Sequence, residues 1–395
     1  MSLKVFSDVL SFVVFKDLAK DKVIFNFFRL LRKEDMESYS DFVSSLYKTE
    51  TDNWTQYLLK QALSLENCLV KLASQNKPIP EAMMQAARYE LEILQELSVM
   101  QPDDFKMKGF KAGWTIENID FKDIYFERLS HIEQFGFGDY ALFTTFRLQG
   151  LEEGIQLKPV AHPDPIRFSD LIGYELPRQQ LIANTEILLQ GHLASNVLLY
   201  GDAGTGKSAT VKAVANEYAS QGLRLIELGK KELHLLPRLL DQLAMNPLKF
   251  ILFIDDLSFQ DNDDDFSALK AVLEGSVSTR SKNTVIYATS NRRHIVKETF
   301  QARMGDEIHR NDTMQETISL SERFGLKIYF EKPKKDLYLE IVYGLASQYG
   351  LHMDKETLAL KAEQFALRKA GRSARAARQL VEQLSSLEKK EESAC

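Results

Sequence analysis

Gly201-Asp-Ala-Gly-Thr-Gly-Lys-Ser208 is the stretch on which the fold turns. It completes the pattern G-x-x-x-x-G-K-[S/T], a loop built to hold phosphate. Asn196-Val-Leu-Leu-Tyr200 before it reads as a short buried strand, and Ser208 to Ser220 after it as a helix. A strand–loop–helix unit is the context in which the motif works. Glycines at 201, 204 and 206 let backbone N–H groups turn inward, and the helix N-terminus adds partial positive charge. The expected cradle is Gly201, Asp202, Ala203, Gly204, Thr205, Gly206, Lys207, Ser208 and Ala209. In it Lys207 reaches the β- and γ-phosphates of a nucleoside triphosphate, and the Ser208 hydroxyl holds Mg2+.

Outward from the loop, the chain alternates between strands and helices from about residue 167. Short apolar runs stand at 196–200, 224–228, 250–254, 284–289 and 326–330, the signature of a parallel α/β sheet of five strands flanked by helices. After Pro333 the pattern is wholly helical, and a last helix from about Ser373 to Leu387 keeps Ala377, Leu380, Val381 and Leu384 on one side. Upstream, Trp54, Leu58, Ala62, Leu65, Leu69 and Leu72 predict one helix over about 52–74. Pro80 opens a second, with Met83, Ala87, Leu91, Leu94 and Leu97 along its face. Pro102 to Gly113 reads as a linker, and the aromatics from Phe121 to Leu148 as core, with a strand in Tyr140–Leu148. A patch for docking a partner is the other reading of those aromatics. Pro159, Pro163 and Pro165 mark a boundary. The expected domains are 1–160, mostly helical; 161–332, nucleotide-binding; and 333–395, a helical lid.

Composition narrows the classes of function. The chain has 395 residues, 44% hydrophobic and 27% charged, enough for two or three soluble domains. A net charge of −6 gives no global basic footprint, so nucleic acid is a possible partner but not the favoured one. Cys68 and Cys395 form no disulfide framework or metal spacing, which suits a reducing cytoplasm. No apolar run approaches a membrane span. Val9 to Phe15 is apolar over only seven residues and is expected to pack as a helix, a peripheral membrane contact being the alternative.

Carboxylates and cations complete the chemistry. Phe250-Ile-Leu-Phe-Ile254 runs into Asp255-Asp256. A buried strand ending in a carboxylate places Asp255 to bind Mg2+. Asp256 is the candidate base that orients an attacking water, or else only caps the next turn. Asn291 tips the 284–289 strand, where its amide can bond the γ-phosphate or that water; as a turn former it would do neither. Arg323 stands just before the last strand and reaches a neighbouring subunit's site more easily than its own, a surface salt bridge being the plainer account. Gly371-Arg-Ser-Ala-Arg-Ala-Ala-Arg378 opens the last helix with three arginines, and Arg375 or Arg378 can reach back to the γ-phosphate, a basic face for RNA or DNA being the alternative. The acidic run Asp261, Asp263, Asp264 and Asp265 reads as a solvated loop.

In that order, these elements resemble an AAA+ ATPase. Phe168-Ser-Asp-Leu-Ile-Gly-Tyr-Glu175 is similar to the AAA+ segment that wraps adenine, which implies contacts from Leu171, Ile172 and Gly173. Within that class the chain resembles a bacterial family catalogued as the domain of unknown function numbered eight hundred and fifteen. The likeness rests on Ser169–Glu175, Asn196–Asp202, Ile254-Asp-Asp-Leu-Ser-Phe259 and Ser319-Leu-Ser-Glu-Arg-Phe-Gly-Leu326, and spans about 160–390. It implies an ATP- and Mg2+-dependent ATPase that assembles as a homo-oligomeric ring or arc, with Arg323 given in trans and a protein partner engaged through residues 1–160. Ser-Glu-Arg-Phe-Gly is also similar to the motor that drives Holliday junctions, which would imply DNA remodelling. Two departures stand out. AAA+ motors carry Asp-Glu where this chain has Asp255-Asp256, implying slow hydrolysis and a switch or loader as the alternative function. Gly229-Lys-Lys-Glu-Leu-His234 lacks the aromatic–apolar–Gly signature that grips threaded polypeptide.

Overall fold

A computed structural model describes residues 8–105, 111–151, 154–257, 269–273, 282–291, 322–369 and 371–392. Asp261, Asp263, Asp264 and Asp265 lie outside the described residues, as do Arg292, Arg293 and Cys395. Two compact units emerge, one formed by Met1–Phe143 with Met245–Leu248 and the other by Thr144–Ala244 with Lys249–Cys395.

Helices α1 (Lys22–Lys33), α2 (Met36–Tyr47), α3 (Trp54–Ser64), α4 (Cys68–Ser74), α5 (Glu81–Ser98) and α6 (Phe121–Ser130) build the first unit. The single helix expected over 52–74 is two. Leu65 turns to extended backbone, and the Asn67 side chain accepts from the N–H groups of Leu69 and Val70, so a new helix starts inside the apolar stripe. Trp54, Phe27, Phe42 and Trp114 pack ring against ring at its centre. The 9–15 segment is packed but is not the expected helix. Its Val13, Val14 and Phe15 N–H groups donate to the buried Glu90 carboxylate, at 2.8 to 3.2 Å. One side chain thus satisfies three successive amides that a helix would have paired with carbonyls.

In the second unit, strands β1 (Thr145–Leu151), β2 (Gly154–Pro159), β3 (Val197–Gly201), β4 (Leu223–Leu228), β5 (Lys249–Ile254), β6 (Thr284–Asn291) and β7 (Leu326–Phe330) form one sheet, in the order β2-β1-β4-β5-β6-β3-β7. All five expected strands are present, but the sheet has seven. The hairpin β1–β2 adds the other two, β1 pairing parallel to β4 and antiparallel to β2. The residues expected upstream of the nucleotide domain therefore extend its sheet. Phe146 and Leu148 of β1 are buried while Arg147 and Gln149 are exposed, an alternation too short to stand out beside the aromatics around it.

Strands β3 to β6 are almost wholly buried, as parallel strands covered on both faces must be. Chain order takes β4, β5 and β6 to one side of β3 and β7 to the other, so β3 ends between β6 and β7. Around them stand α7 (Glu175–Leu189), α8 (Lys207–Glu217) and α9 (Leu236–Leu243), and α10 (Lys335–Gln348), α11 (Lys355–Arg368) and α12 (Ala374–Glu392) make a three-helix lid with its own apolar core.

Candidate nucleotide site

The phosphate loop leaves β3 at Gly201 and enters α8 at Lys207. Gly201, with φ near 142°, faces the Phe330 carbonyl so closely that no Cβ fits. Gly204 and Gly206 also take positive φ, and Gly206 caps α8, so the loop turns its backbone toward the helix N-terminus. The Thr205 hydroxyl donates to the Asp202 carbonyl at 2.9 Å and holds the turn shut.

The cleft above this loop has a volume of about 500 Å3. Its floor is Ala203 to Ala209, and one wall carries Asp255, Asp256 and Asn291. Leu171, Ile172 and Gly173 also line the cleft, as do Arg375 and Arg378 of the lid. Of the residues named from sequence, Gly201 and Asp202 stand just behind the lining, where their carbonyls accept from Lys207. Arg323, half-buried at the helix end before β7, is not among the residues lining this cleft.

A continuous chain of hydrogen bonds joins the loop to the strand tips. Lys207, only 6% exposed, donates to the Gly201 and Asp202 carbonyls at 3.0 and 2.8 Å and to Asn291 Oδ1 at 3.3 Å. Asn291 Nδ2 donates in turn to Asp256 Oδ1 at 2.8 Å. Ser208 Oγ donates to Asp255 Oδ1 at 2.6 Å. Burial pulls the Lys207 ammonium down to about 8, against Asp202, Asp255 and Asp256, which push it back up. A phosphate placed beside it would supply the counter-charge that the loop carbonyls only approximate.

Ser208 and Asp255 present a hydroxyl and a carboxylate side by side, hard oxygen donors of the kind Mg2+ takes. Two protein ligands suffice for an ion that keeps its waters and bridges phosphates. The described residues contain no group of three His, Cys, Asp or Glu that would make a self-sufficient metal cage.

Two functional supports were not legible as such. Buried Arg178, on the first turn of α7, donates to the carbonyls of Leu171 (2.6 Å), Gly173 and Tyr174 (3.4 Å), which shapes the segment facing the cleft. Thr289 donates to Asp255 Oδ1 at 2.6 Å; its position two residues before Asn291 puts both side chains on one face of β6, the one signal that could have found it. Of the three arginines at 372, 375 and 378, Arg372 is committed elsewhere. Its guanidinium grips Glu363 and holds that carboxyl below the usual range. Arg375 donates its backbone N–H to the Gly204 carbonyl at 3.1 Å, joining lid to loop.

A family model described as a protein of unknown function, DUF815, matches residues 141–388. The chain belongs to the DUF815 family. The match begins before β1, so it takes in the hairpin on the sheet edge. The 26S proteasome regulatory subunit 6B homolog of Schizosaccharomyces pombe is 34% identical over 115 residues, or 26% of this chain and 29% of that one. Solved structures of two RuvB variants from Thermotoga maritima are 16% and 15% identical, over 55% of this chain and 63% of theirs, each with a TM-score of 0.36. This DUF815 chain thus spans less than a third of the curated relative and under two thirds of those structures. It is of the AAA+ class: phosphate loop, carboxylate-tipped β5, Asn-tipped β6 and helical lid occur in that order around one cleft.

Proposed function

We propose that the cleft hydrolyses ATP between subunits and that the lid and the helical region upstream use the energy to remodel or load a macromolecular partner. The observation that carries this is the path Lys207–Asn291–Asp256, which links the phosphate loop to the candidate base through one amide. In the step envisaged, a water oxygen attacks the γ-phosphorus, the bond to the β-phosphate oxygen breaks, and the Asp256 carboxylate accepts the water's proton. Asn291 orients that water, and Lys207 stays on the β- and γ-oxygens. Mg2+ held by Ser208 and Asp255 would neutralise phosphate charge. Arg375 would act from the same subunit's lid, and Arg323 from a neighbour. Leu171 to Gly173 would take the base. The functional boundaries proposed are a partner-choosing region up to about 143, the ATP-binding domain from there to 332 with the β1–β2 hairpin in its sheet, and the lid beyond, with action in the cytoplasm.

A slow switch or loader is the second reading, and Asp256 favours it. Its backbone is left-handed, with φ near 52°, and its side chain is a methylene shorter than glutamate. One experiment addresses both: ATP is bound to the wild type and to Asp256→Asn, and its decay is followed over a single turnover. Binding in both, with decay at least about 100-fold slower in the variant, is expected. Equal decay rates would remove Asp256 as the base, and ATP lasting for many minutes in the wild type would favour the switch.

A further inference from the structure

Among the residues lining the cleft, one buried hydroxyl touches both acids that follow β5. Thr289, 2% exposed, donates from Oγ1 to Asp255 Oδ1 at 2.6 Å and accepts from the Asp256 N–H at 2.9 Å. A hydroxyl has one proton and two lone pairs, so these two bonds use its donor and set its rotamer. The Asp256 N–H belongs to a residue in the left-handed region, where an aspartate stays only if its surroundings hold it. Its other acceptor, Asp255 Oδ1, is further away at 3.2 Å. The rest of the turn is tied independently: Leu257 N–H donates to the Thr289 carbonyl at 2.7 Å, and Ser290 Oγ donates to the Leu257 carbonyl at 2.8 Å. The Thr289 side chain can therefore be changed without releasing the strand end.

We propose that Thr289 is a positioning residue that sets the orientation of Asp255 toward Mg2+ and of Asp256 toward Asn291. This rests on the cleft being an ATP·Mg2+ site. Without the hydroxyl, Asp255 loses its shortest bond outside Ser208, and the Asp256 amide loses its nearer acceptor. The carboxylates then sample orientations in which neither meets its partner. Threonine does this from a strand because its branched Cβ restricts χ1, so the hydroxyl is held where it is needed.

The test compares Thr289→Val, which keeps the shape and removes the hydroxyl, with Thr289→Ser, which keeps the hydroxyl. Nucleotide binding is titrated with Mg2+ and repeated in EDTA, and ATP turnover is measured alongside. Thr289→Val is expected to raise the Mg2+ concentration at half-saturation, and to lower kcat, by about 10- to 100-fold. Its nucleotide affinity in EDTA should match the wild type, and Thr289→Ser should restore both quantities. Should Thr289→Val melt early, Thr289→Ala removes the hydroxyl without adding a buried methyl. A wild-type Mg2+ midpoint in the hydroxyl-free variants, or no recovery with serine, overturns the proposal. If the wild type binds Mg2+-nucleotide yet never turns it over, hydrolysis fails as a function while the Mg2+ midpoint still decides Thr289. A wild type that binds no nucleotide removes both.

Discussion

Lys207 shows how a single buried cation can be both liability and device. Its pKa falls from 10.5 to about 8 because burial outweighs three neighbouring carboxylates. The fold therefore favours the neutral amine, and the protonated form costs stability below about pH 8. That cost fades as pH rises from about 8 towards 10.5. Measured against Lys207→Met, the nucleotide-free protein should gain thermal stability between about pH 7 and about pH 9.5. No change in that difference would contradict a buried, depressed ammonium. Phosphate should restore the proton, so ATP binding near pH 9 should take up a fraction of one, read by calorimetry in buffers of different ionisation enthalpy. Lys207→Ala should lose ATP affinity by at least about 100-fold while keeping its circular dichroism, since the ammonium that would make charge-assisted bonds to the β- and γ-phosphates is removed.

Between elements, the contact that matters is the one between the 168–175 segment and helix α10. Gly344 of α10 lies against Ile172: a Cβ there would come within 2.5 Å of Ile172 Cδ1. Gln348, one turn on, donates to the Ser169 carbonyl at 2.7 Å, and Tyr174 OH donates to the Glu331 carbonyl at 2.9 Å. Segment, strand end and lid are thus pinned to one another at the mouth of the cleft. Gly344→Ala should gain about 1 kcal/mol in helix propensity. It should also displace the whole Ile172 side chain, whose Cδ1, Cγ1 and Cγ2 the new Cβ would meet at 2.5, 3.1 and 3.2 Å, so the propensity gain should be offset and nucleotide affinity should fall. Unchanged affinity would mean that Ile172 does not shape the nucleotide pocket. The opposite case is Gly201→Ala. Its Cβ would meet backbone, the Phe330 carbonyl, which cannot swing away, so the pairing of β3 with β7 should weaken and stability fall by about 2 kcal/mol or more in chemical denaturation.

For the molecule as a whole, the expectation is an assembly whose activity depends on its own concentration. Specific ATPase activity should fall on dilution, and Arg323→Ala should reproduce the diluted rate at high concentration. Activity flat across dilution, with an Arg323→Ala variant like the wild type, would remove the site shared between subunits. No described helix is long and apolar enough to cross a membrane. Any binding to nucleic acid would have to come from a local basic face against a net charge of −6, and should weaken as salt is raised in proportion to the phosphates it contacts.

Local chemistry was legible along the chain wherever neighbours in sequence carry it. The phosphate loop, the carboxylates after Ile254 and the amide at the end of β6 depend on residues only a few positions apart, and all five core strands could be read from apolar runs. Long-range partners were not legible. The spacing of Thr289 from Asn291 puts it on the site's face of β6 but does not name Asp255 as its partner, and nothing near Arg178 points to the carbonyls it gathers, since such hydrogen bonds exist only once strands and turns are apposed. The hairpin β1–β2 pairs with β4 and so satisfies N–H and C=O groups that β4 would otherwise leave open at an edge, a long-range pairing that the prolines after it do not reveal. Periodicity reports which face of a segment is buried; folding alone chooses what it is buried against.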